Sequence, residues 1–195
     1  MDFVNPPYAF VLVDGILAPR LLGSIYRGYA DTVELQGDED VLEFGCGSGG
    51  ISERLAPRLA NGSLTCVDIS PPMMKIAARR MKRHSHVSCR VGRIEDLAFA
   101  DAAFDLVVIH NALHDVPDDD RAPTLAELVR LLRVDGRLHL REPTKPSHGM
   151  PAAAYRDLLT DAGLTEVRSR EGKVFAVGPV FDAVYAKRAK PTDQS

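Results

Sequence analysis

The chain has 195 residues, of which 45% are hydrophobic and 26% are charged, and its formal net charge is −3. This length is enough for one domain with a proper hydrophobic core, and the weak negative charge gives no overall basic field for nucleic acid or an anionic membrane. Because no apolar run is long enough to cross a bilayer and the N-terminus shows no signal pattern, we expect a cytoplasmic protein without membrane insertion or a nucleic-acid partner.

The predicted elements alternate between strands and helices along most of the chain. Residues 1–18 look irregular and apolar, and apolar residues at helical spacing then predict a helix from about Pro19 to Leu35. We expect the first 36 residues to form a small helical lid. Strands are predicted at 40–44, 63–68, 87–91, 104–109, 137–141, 165–170 and 173–187, and helices at 49–59, 71–83, 119–132 and 151–161.

This alternation, with short connections, predicts an α/β fold with a doubly wound, mostly parallel seven-stranded sheet and helices on both faces. One domain is expected over residues 1–188, followed by a polar, disordered tail over 189–195. In such folds, ligands bind beyond the carboxyl ends of the strands.

The cysteines and most histidines show no pattern of a metal site. Cys46, Cys66 and Cys89 are odd in number, lack a C-x-x-C pair and fall in strand or glycine-loop contexts, which predicts buried free thiols. His84, His86, His139 and His148 are scattered without the spacing of metal ligands, and we expect no metal.

The first strand ends in an acid followed by four glycines within six positions, which predicts a strand, a tight turn and a helix around a ligand. Gly45, Gly47 and Gly50 fit the dinucleotide pattern G-x-G-x-x-G, with Asp68 18 residues beyond Gly50. Glu43 argues against that assignment, because a carboxylate at the strand end suits a cationic cofactor better than a pyrophosphate.

From about residue 38 to residue 187 the chain resembles class I S-adenosyl-L-methionine (SAM)-dependent methyltransferases of the small-molecule type, which have a Rossmann-like fold. Glu43, Gly45, Gly47 and Gly49 match the family loop E/D-x-G-x-G-x-G. Other matching segments are 67–70, 91–99, 104–108 and 131–138, and the short segment 140–146 is similar to quinone-biosynthesis methyltransferases.

The resemblance implies SAM as the cofactor and an aligned set of binding residues. In the family, the acid at Asp68 takes the ribose hydroxyls, and the segment after the third strand lines the adenine. The implied cofactor-binding residues are Glu43, Gly45, Gly47, Gly49, Asp68, Ile69, Ile94, Glu95 and His110, the last through its backbone. Arg93 departs from the family, which has an acid there, and an arginine cannot accept a hydrogen bond, so Glu95 is expected to take over that role. The competing interpretation of Arg93 is that it faces solvent or pairs with Glu95.

Side chains beyond the fourth and fifth strands are candidates for chemistry on the acceptor. His114 is the candidate general base, with Asp115 orienting it, because its ordinary pKa suits proton removal near neutrality; the alternative is a capping or packing role. The candidate substrate-binding residues are Asn111, Tyr26, Tyr29 and Glu142. Core packing of the tyrosines and a surface ion pair of Glu142 are the competing interpretations.

The sequence therefore predicts a SAM-dependent methyltransferase that acts on a small-molecule acceptor by in-line displacement. Two alternatives remain: a catalytically silent SAM-binding partner subunit, suggested by Arg93, and an enzyme that uses the same fold for chemistry other than methyl transfer, including a dehydrogenase. The acceptor atom is open, and so is the formation of a homodimer.

Overall fold

The computed structural model describes residues 2–17 and 21–189. The strands are β1 (Asp40–Phe44), β2 (Ser63–Asp68), β3 (Val87–Val91), β4 (Phe104–His110), β5 (Leu132–Lys145), β6 (His148–Gly149), β7 (Leu164–Val174) and β8 (Gly178–Lys187). The helices are α1 (Tyr8–Phe10), which continues as a π-helix over Val11–Leu17, α2 (Gly23–Ala30), α3 (Ser52–Leu55), α4 (Pro71–Met81), α5 (Asp118–Leu131) and α6 (Ala152–Asp161).

The strands of the described residues form one mixed sheet in the order β3-β2-β1-β4-β5-β8-β7, with β6 paired to β5. The five strands from β3 to β5 are parallel, and β8 and β7 complete the sheet as antiparallel strands. The chain winds from β1 towards β2 and β3 and then returns to place β4 on the other side of β1. A switch point therefore lies between β1 and β4, where open α/β sheets bind their ligands.

The central strands are buried on both faces because their residues alternate between two hydrophobic cores. Leu42, Val107 and Ile109 pack in the core beneath α5 and α6. Val41 and Val108 point the other way, into the core beneath α2, α3 and α4. Apolar side chains on both faces explain why these strands read as nearly continuous hydrophobic runs.

The sequence-based prediction of the doubly wound sheet is confirmed. The first three strands begin and end at the predicted residues. A two-residue strand, β6, was missed and makes the sheet eight-stranded within the described residues; it pairs with Thr144 and Lys145. Such a short strand carries too few side chains to show an alternating pattern.

The prediction that residues 1–18 are irregular was wrong for 8–17, which form α1 and the π-helix. The following helix is shorter than predicted and covers only Gly23–Ala30. The backbone carbonyl of Tyr29, in its last turn, accepts a hydrogen bond from the Thr32 hydroxyl at 2.7 Å. The predicted start at Pro19, and residues 190–195 of the predicted tail, lie outside the described residues. The single domain over 1–188 stays a prediction.

Strand β5 is much longer than the predicted 137–141. Residues 133–136, which separate the predicted helix over 119–132 from the predicted strand, belong to β5, and Asp135 takes a φ of 63° there. Antiparallel pairing with β8 runs from Arg137 to Pro143 and extends the strand beyond its contact with β4. Long-range pairing of this kind has no local sequence signal.

Candidate active site

A cavity of about 640 Å³ lies at the carboxyl ends of β1, β2 and β4. It runs from the loop after β1 to the segment after β4, and the N-terminal segment covers part of it through Phe3, Pro6 and Phe10. Most of the predicted site residues line it: Tyr26, Glu43, Gly45, Gly47, Asp68, Ile69, Ile94, Glu95, His110, Asn111 and His114. Gly49, Tyr29 and Glu142 do not.

The glycine loop adopts backbone conformations that favour glycine, with φ of 67° at Gly45, 52° at Gly47 and 83° at Gly49. A Cβ atom on Gly45 would lie 2.3 Å from the Cβ of Ala112, so the loop fits closely against the segment after β4. Gly47 has open space in front of it. Gly49 instead packs towards Ala77 of α4, where a Cβ would come within 3.3 Å, so this glycine allows a close helix approach rather than forming the cavity wall.

Asp68 closes one end of the cavity and is fixed by the backbone. Its two carboxylate oxygens accept hydrogen bonds from the N–H groups of Gly47 and Ser70, each at 2.8 Å. Burial raises its pKa above the ordinary value. Since each oxygen has a second lone pair, Asp68 can still accept hydrogen bonds from a diol in the cavity.

Glu43 lies beneath the glycine loop and is almost fully buried. The Ser52 hydroxyl donates a hydrogen bond of 2.6 Å to its Oε2. Burial raises the pKa of Glu43 to about 8. A nearby cation would favour the charged form of this carboxyl group, which suits a ligand carrying an ammonium or sulfonium.

Arg93 lies at the rim, where its side chain is half exposed. Its guanidinium donates a hydrogen bond of 3.2 Å to Asp120, and its Nε lies 3.5 Å from Glu95. The pairing with Glu95 matches one of the two interpretations of Arg93 derived from the sequence. Glu95 also accepts a hydrogen bond from the Thr124 hydroxyl at 2.5 Å and keeps a carboxylate on the cavity wall. Ile69 and Ile94 add apolar wall at this end.

His110 packs among aromatic rings at the end of β4. Its ring centroid is 4.6 Å from that of Tyr29 and 5.8 Å from that of Tyr26, and burial lowers its pKa to about 3. The expectation that Tyr29 closes the substrate pocket was wrong: the side chain is buried, and its hydroxyl bonds to the backbone carbonyls of Ile109 and His139, at 3.0 and 3.2 Å. Tyr26 does line the cavity and lies against Gly50.

His114 and Glu142 form a buried pair across the sheet edge. Nδ1 of His114 lies 2.6 Å from Oε2 of Glu142, and the backbone N–H groups of Ala112, Leu113 and His114 also donate to this carboxylate, at 2.8, 2.9 and 3.1 Å. Glu142 is fully buried with both oxygens occupied. The expectation that it binds substrate was therefore wrong, as was the competing surface ion pair; Glu142 anchors the segment after β4.

Asp115 is not the main partner of His114, contrary to the sequence-based expectation. Its Oδ1 lies 3.4 Å from Nε2 of His114, on the opposite side of the ring from Glu142. Burial lowers the pKa of His114, but the hydrogen bond and charge of Glu142, helped by Asp115, outweigh this and raise it above the ordinary value. Nε2 makes no hydrogen bond within the described residues.

Asn111 shows two features that the sequence did not reveal. Its φ is 53°, which is uncommon for a residue other than glycine. The residue lines the cavity, and its Oδ1 atom is buried without a hydrogen-bond partner among the described residues. Strained backbone and an unsatisfied polar atom together are typical of functional positions.

His148 was missed as a site residue. It lies on β6, lines the cavity, and its ring meets that of His114 edge-to-face with centroids 4.5 Å apart. In the sequence, the position of His148 a few residues after Glu142 was the signal that could have indicated this role. Without β6 in the prediction, nothing indicated that the chain turns back over the site.

The residues present fit SAM. The cavity offers a carboxylate for ribose hydroxyls at Asp68, a buried carboxyl group for a cationic end at Glu43 and an open backbone at Gly47. Together with the doubly wound sheet, these features define a nucleoside-binding α/β protein whose site accommodates positive charge.

Comparison with known proteins identifies the family. Residues 41–136 match a family model described as a methyltransferase domain. The ubiquinone/menaquinone biosynthesis C-methyltransferase UbiE of Xylella fastidiosa is 32% identical over 181 residues, which cover 89% of this chain and 68% of that protein. The demethylmenaquinone methyltransferase of Lactiplantibacillus plantarum is 34% identical over 118 residues, 58% of this chain and 49% of the relative.

Among solved structures, the N-methyltransferase NodS of Bradyrhizobium japonicum in complex with S-adenosyl-L-homocysteine has a TM-score of 0.72 and 23% identity, covering 97% of this chain and 94% of that one. The chain spans about half the length of several of the curated relatives it matches. It belongs to the class I SAM-dependent methyltransferases, and its cofactor is SAM.

Proposed function

We propose that this protein transfers a methyl group from SAM to a small-molecule acceptor whose nucleophilic atom carries a proton. The observation that carries this proposal is the continuity of the cavity. The glycine loop, Asp68, His114 and Asn111 all line it. Residues proposed to bind the cofactor and residues proposed to act on the acceptor thus share one cavity.

The protein's part in such a reaction is mainly alignment and exclusion of water. When bound, SAM supplies a methyl group on a sulfonium, an excellent leaving group. Phe3, Phe10 and Tyr26 add aromatic side chains to the cavity lining, which reduces the amount of water beside the bound reactants. Asn111 also lines the cavity, and its amide is proposed to hydrogen-bond an O–H or N–H group of the acceptor.

His114 is proposed as the general base. Glu142 binds its Nδ1, which leaves Nε2 as the nitrogen to take the acceptor proton. The carboxylate of Asp115, 3.4 Å from Nε2, stabilises the imidazolium that results. Glu142 is a positioning residue in this scheme, because it acts only through His114 and the backbone around it.

The size of the acceptor is inferred from the relatives as well as from the cavity. The matching curated proteins include methyltransferases named for demethylmenaquinone and for nocamycin, both small molecules. Names of C-, O- and N-methyltransferases all occur among the similar proteins, so they support a small acceptor without selecting the atom.

Arg93 does not favour the alternative of a silent subunit. Its guanidinium pairs with Asp120 and Glu95 at the rim, and Glu95 keeps a carboxylate on the cavity wall. The carboxylate of Glu95 can therefore replace the hydrogen-bond acceptor that the family has at position 93.

Calorimetric titration with SAM, S-adenosylhomocysteine and NAD tests the first half of the proposal. We expect micromolar binding of the two SAM-type ligands and none of NAD. Transfer of radiolabelled methyl groups to a panel of phenols, enols and amines tests the second half. NAD binding in place of SAM would overturn the assignment, and SAM binding without transfer to any member of the panel would favour the silent subunit.

A further inference from the structure

The outer face of the N-terminal segment is apolar and exposed. Tyr8, Leu12, Val13 and Leu17 are exposed over 81%, 38%, 56% and 41% of their surface. Leu12, Val13 and Leu17 follow Tyr8 by four, five and nine residues. With about 4.4 residues per turn of a π-helix, this spacing puts all four on one side of α1 and the π-helix that continues it. Contiguous exposed apolar side chains of this kind mark an interaction surface.

The inner face of the same segment belongs to the active-site cavity. Phe3, Pro6 and Phe10 line the cavity, and the rings of Phe3 and Phe10 meet edge-to-face with centroids 6.3 Å apart. Whatever covers the outer face therefore lies about one helix diameter from the cavity.

Helix α4 holds this segment and surrounds it with positive charge. A Cβ atom on Gly15 would lie 2.8 Å from Ile76, and the Arg80 guanidinium donates a hydrogen bond of 2.9 Å to the Gly15 carbonyl. The residues around Ile76 on the helix surface are basic and exposed: Lys75, Arg79, Lys82 and Arg83. None of these four makes an ion pair with any described residue.

We infer that this surface, formed by Tyr8, Leu12, Val13, Leu17 and the four basic residues on and just after α4, docks onto a lipid surface with anionic headgroups. Apolar side chains enter the headgroup region while lysine and arginine pair with the phosphates above it. The net charge of −3 conceals this local positive excess. Docking is peripheral, since no helix in residues 2–17 or 21–189 has the length and apolar character to cross a bilayer.

Docking does not rest on the proposed methyl transfer, because the surface that makes it lies outside the cavity.

Vesicle co-sedimentation of the full chain tests this surface. We expect the protein to sediment with vesicles of phosphatidylcholine mixed with phosphatidylglycerol and to stay in solution with phosphatidylcholine alone, with binding that falls as salt rises. Leu12→Asp/Val13→Asp should weaken binding by about tenfold or more. Lys75→Glu/Arg79→Glu should weaken it by about fivefold for each charge lost and leave the apolar face intact.

Phe175→Asp is the matched control, because Phe175 is an exposed apolar residue, 86% exposed, in the turn between β7 and β8. It should bind like the wild type. Equal loss in the control, or no sedimentation of the wild type with anionic vesicles, would overturn the inference. It would also be overturned if ultracentrifugation showed a wild-type dimer that Leu12→Asp/Val13→Asp dissociates while vesicle binding is absent. SAM binding is measured separately, so its failure would remove methyl transfer without touching the docking result.

Discussion

His114 follows β4, Glu142 lies on the neighbouring parallel strand β5, and the two side chains meet through a hydrogen bond of 2.6 Å. The same carboxylate accepts hydrogen bonds from three backbone N–H groups of the segment that carries His114. A buried acid on β5 thus fixes both the ring and the backbone of the candidate base. This relationship gives the proposed function its most direct tests.

Removal of the imidazole should abolish turnover and spare the cofactor site. We expect His114→Ala to lower kcat by about 100-fold or more, because general bases contribute at least that much. SAM affinity, measured by calorimetry, should stay near the wild-type value. Full activity of His114→Ala would reduce His114 to a packing residue.

Substitution of Glu142, which binds the His114 ring, should change the pH dependence of the reaction. Glu142 raises the pKa of His114, so the base form of His114 appears only above that raised value. In Glu142→Gln the rise of kcat/KM with pH should move to lower pH, with a lower plateau.

The same variant should also lose about 2 kcal/mol in the free energy of unfolding, since an amide nitrogen cannot accept the backbone N–H groups. Glu171→Gln, on the exposed face of β7, is its control and should change neither quantity. An unshifted pH profile in Glu142→Gln would leave Glu142 with a structural role alone.

The carboxylate of Asp68 should matter for cofactor binding more than any other acid near β2. We predict that Asp68→Ala weakens SAM binding by about 100-fold, as expected for the loss of charge-assisted hydrogen bonds. Asp96→Ala, an exposed acid outside the cavity lining, should bind SAM like the wild type. Unchanged affinity of Asp68→Ala in calorimetry would contradict the placement of the cofactor.

A methyl group at Gly45 should be costly for two reasons. Its φ of 67° disfavours other residues, and the new Cβ would lie 2.3 Å from Ala112. Gly45→Ala should therefore lose about 2 kcal/mol in the free energy of unfolding, measured with urea. Gly172→Ala, where nothing lies within 4 Å of the added atom, should be nearly neutral. Similar losses in both variants would show that the contact is not tight.

His139 should make the protein sensitive to mild acid. Burial lowers its pKa to about 4, while the unfolded chain keeps the ordinary value near 6.5. Between these values the unfolded state binds more protons, so stability falls as pH drops, by up to about 1.4 kcal/mol per pH unit. In His139→Leu the slope of the free energy of unfolding between pH 6.5 and 4 should decrease by about one proton; an unchanged slope would show that His139 titrates normally.

Much of the α/β sheet was predictable because the sequence patterns that mark its strands and turns are local. Apolar runs mark β1, β2 and β4, and the glycines after Glu43 mark the turn between β1 and α3. The placement of Asp68 and Glu43 on the cavity follows from the fold, since both stand at the carboxyl ends of parallel strands.

The errors concern residues whose surroundings come from distant parts of the chain. Tyr29 looked available on an amphipathic helix, yet its hydroxyl reaches carbonyls 80 and 110 residues away. Glu142 looked like a surface acid because its four donors lie about 30 residues earlier. No local pattern reports such partners, and the same holds for the backbone strain at Asn111.

The anchoring of the segment after β4 has a consequence for how this protein can diversify. Glu142 holds the segment mostly through backbone N–H groups, which every residue except proline provides. The side chain at position 111 can therefore change over evolutionary time among the residues that tolerate its positive φ, chiefly glycine, asparagine and aspartate, while the backbone that presents it stays in place. Relatives with the same anchor can acquire new acceptor preferences by single substitutions there, without rebuilding the scaffold.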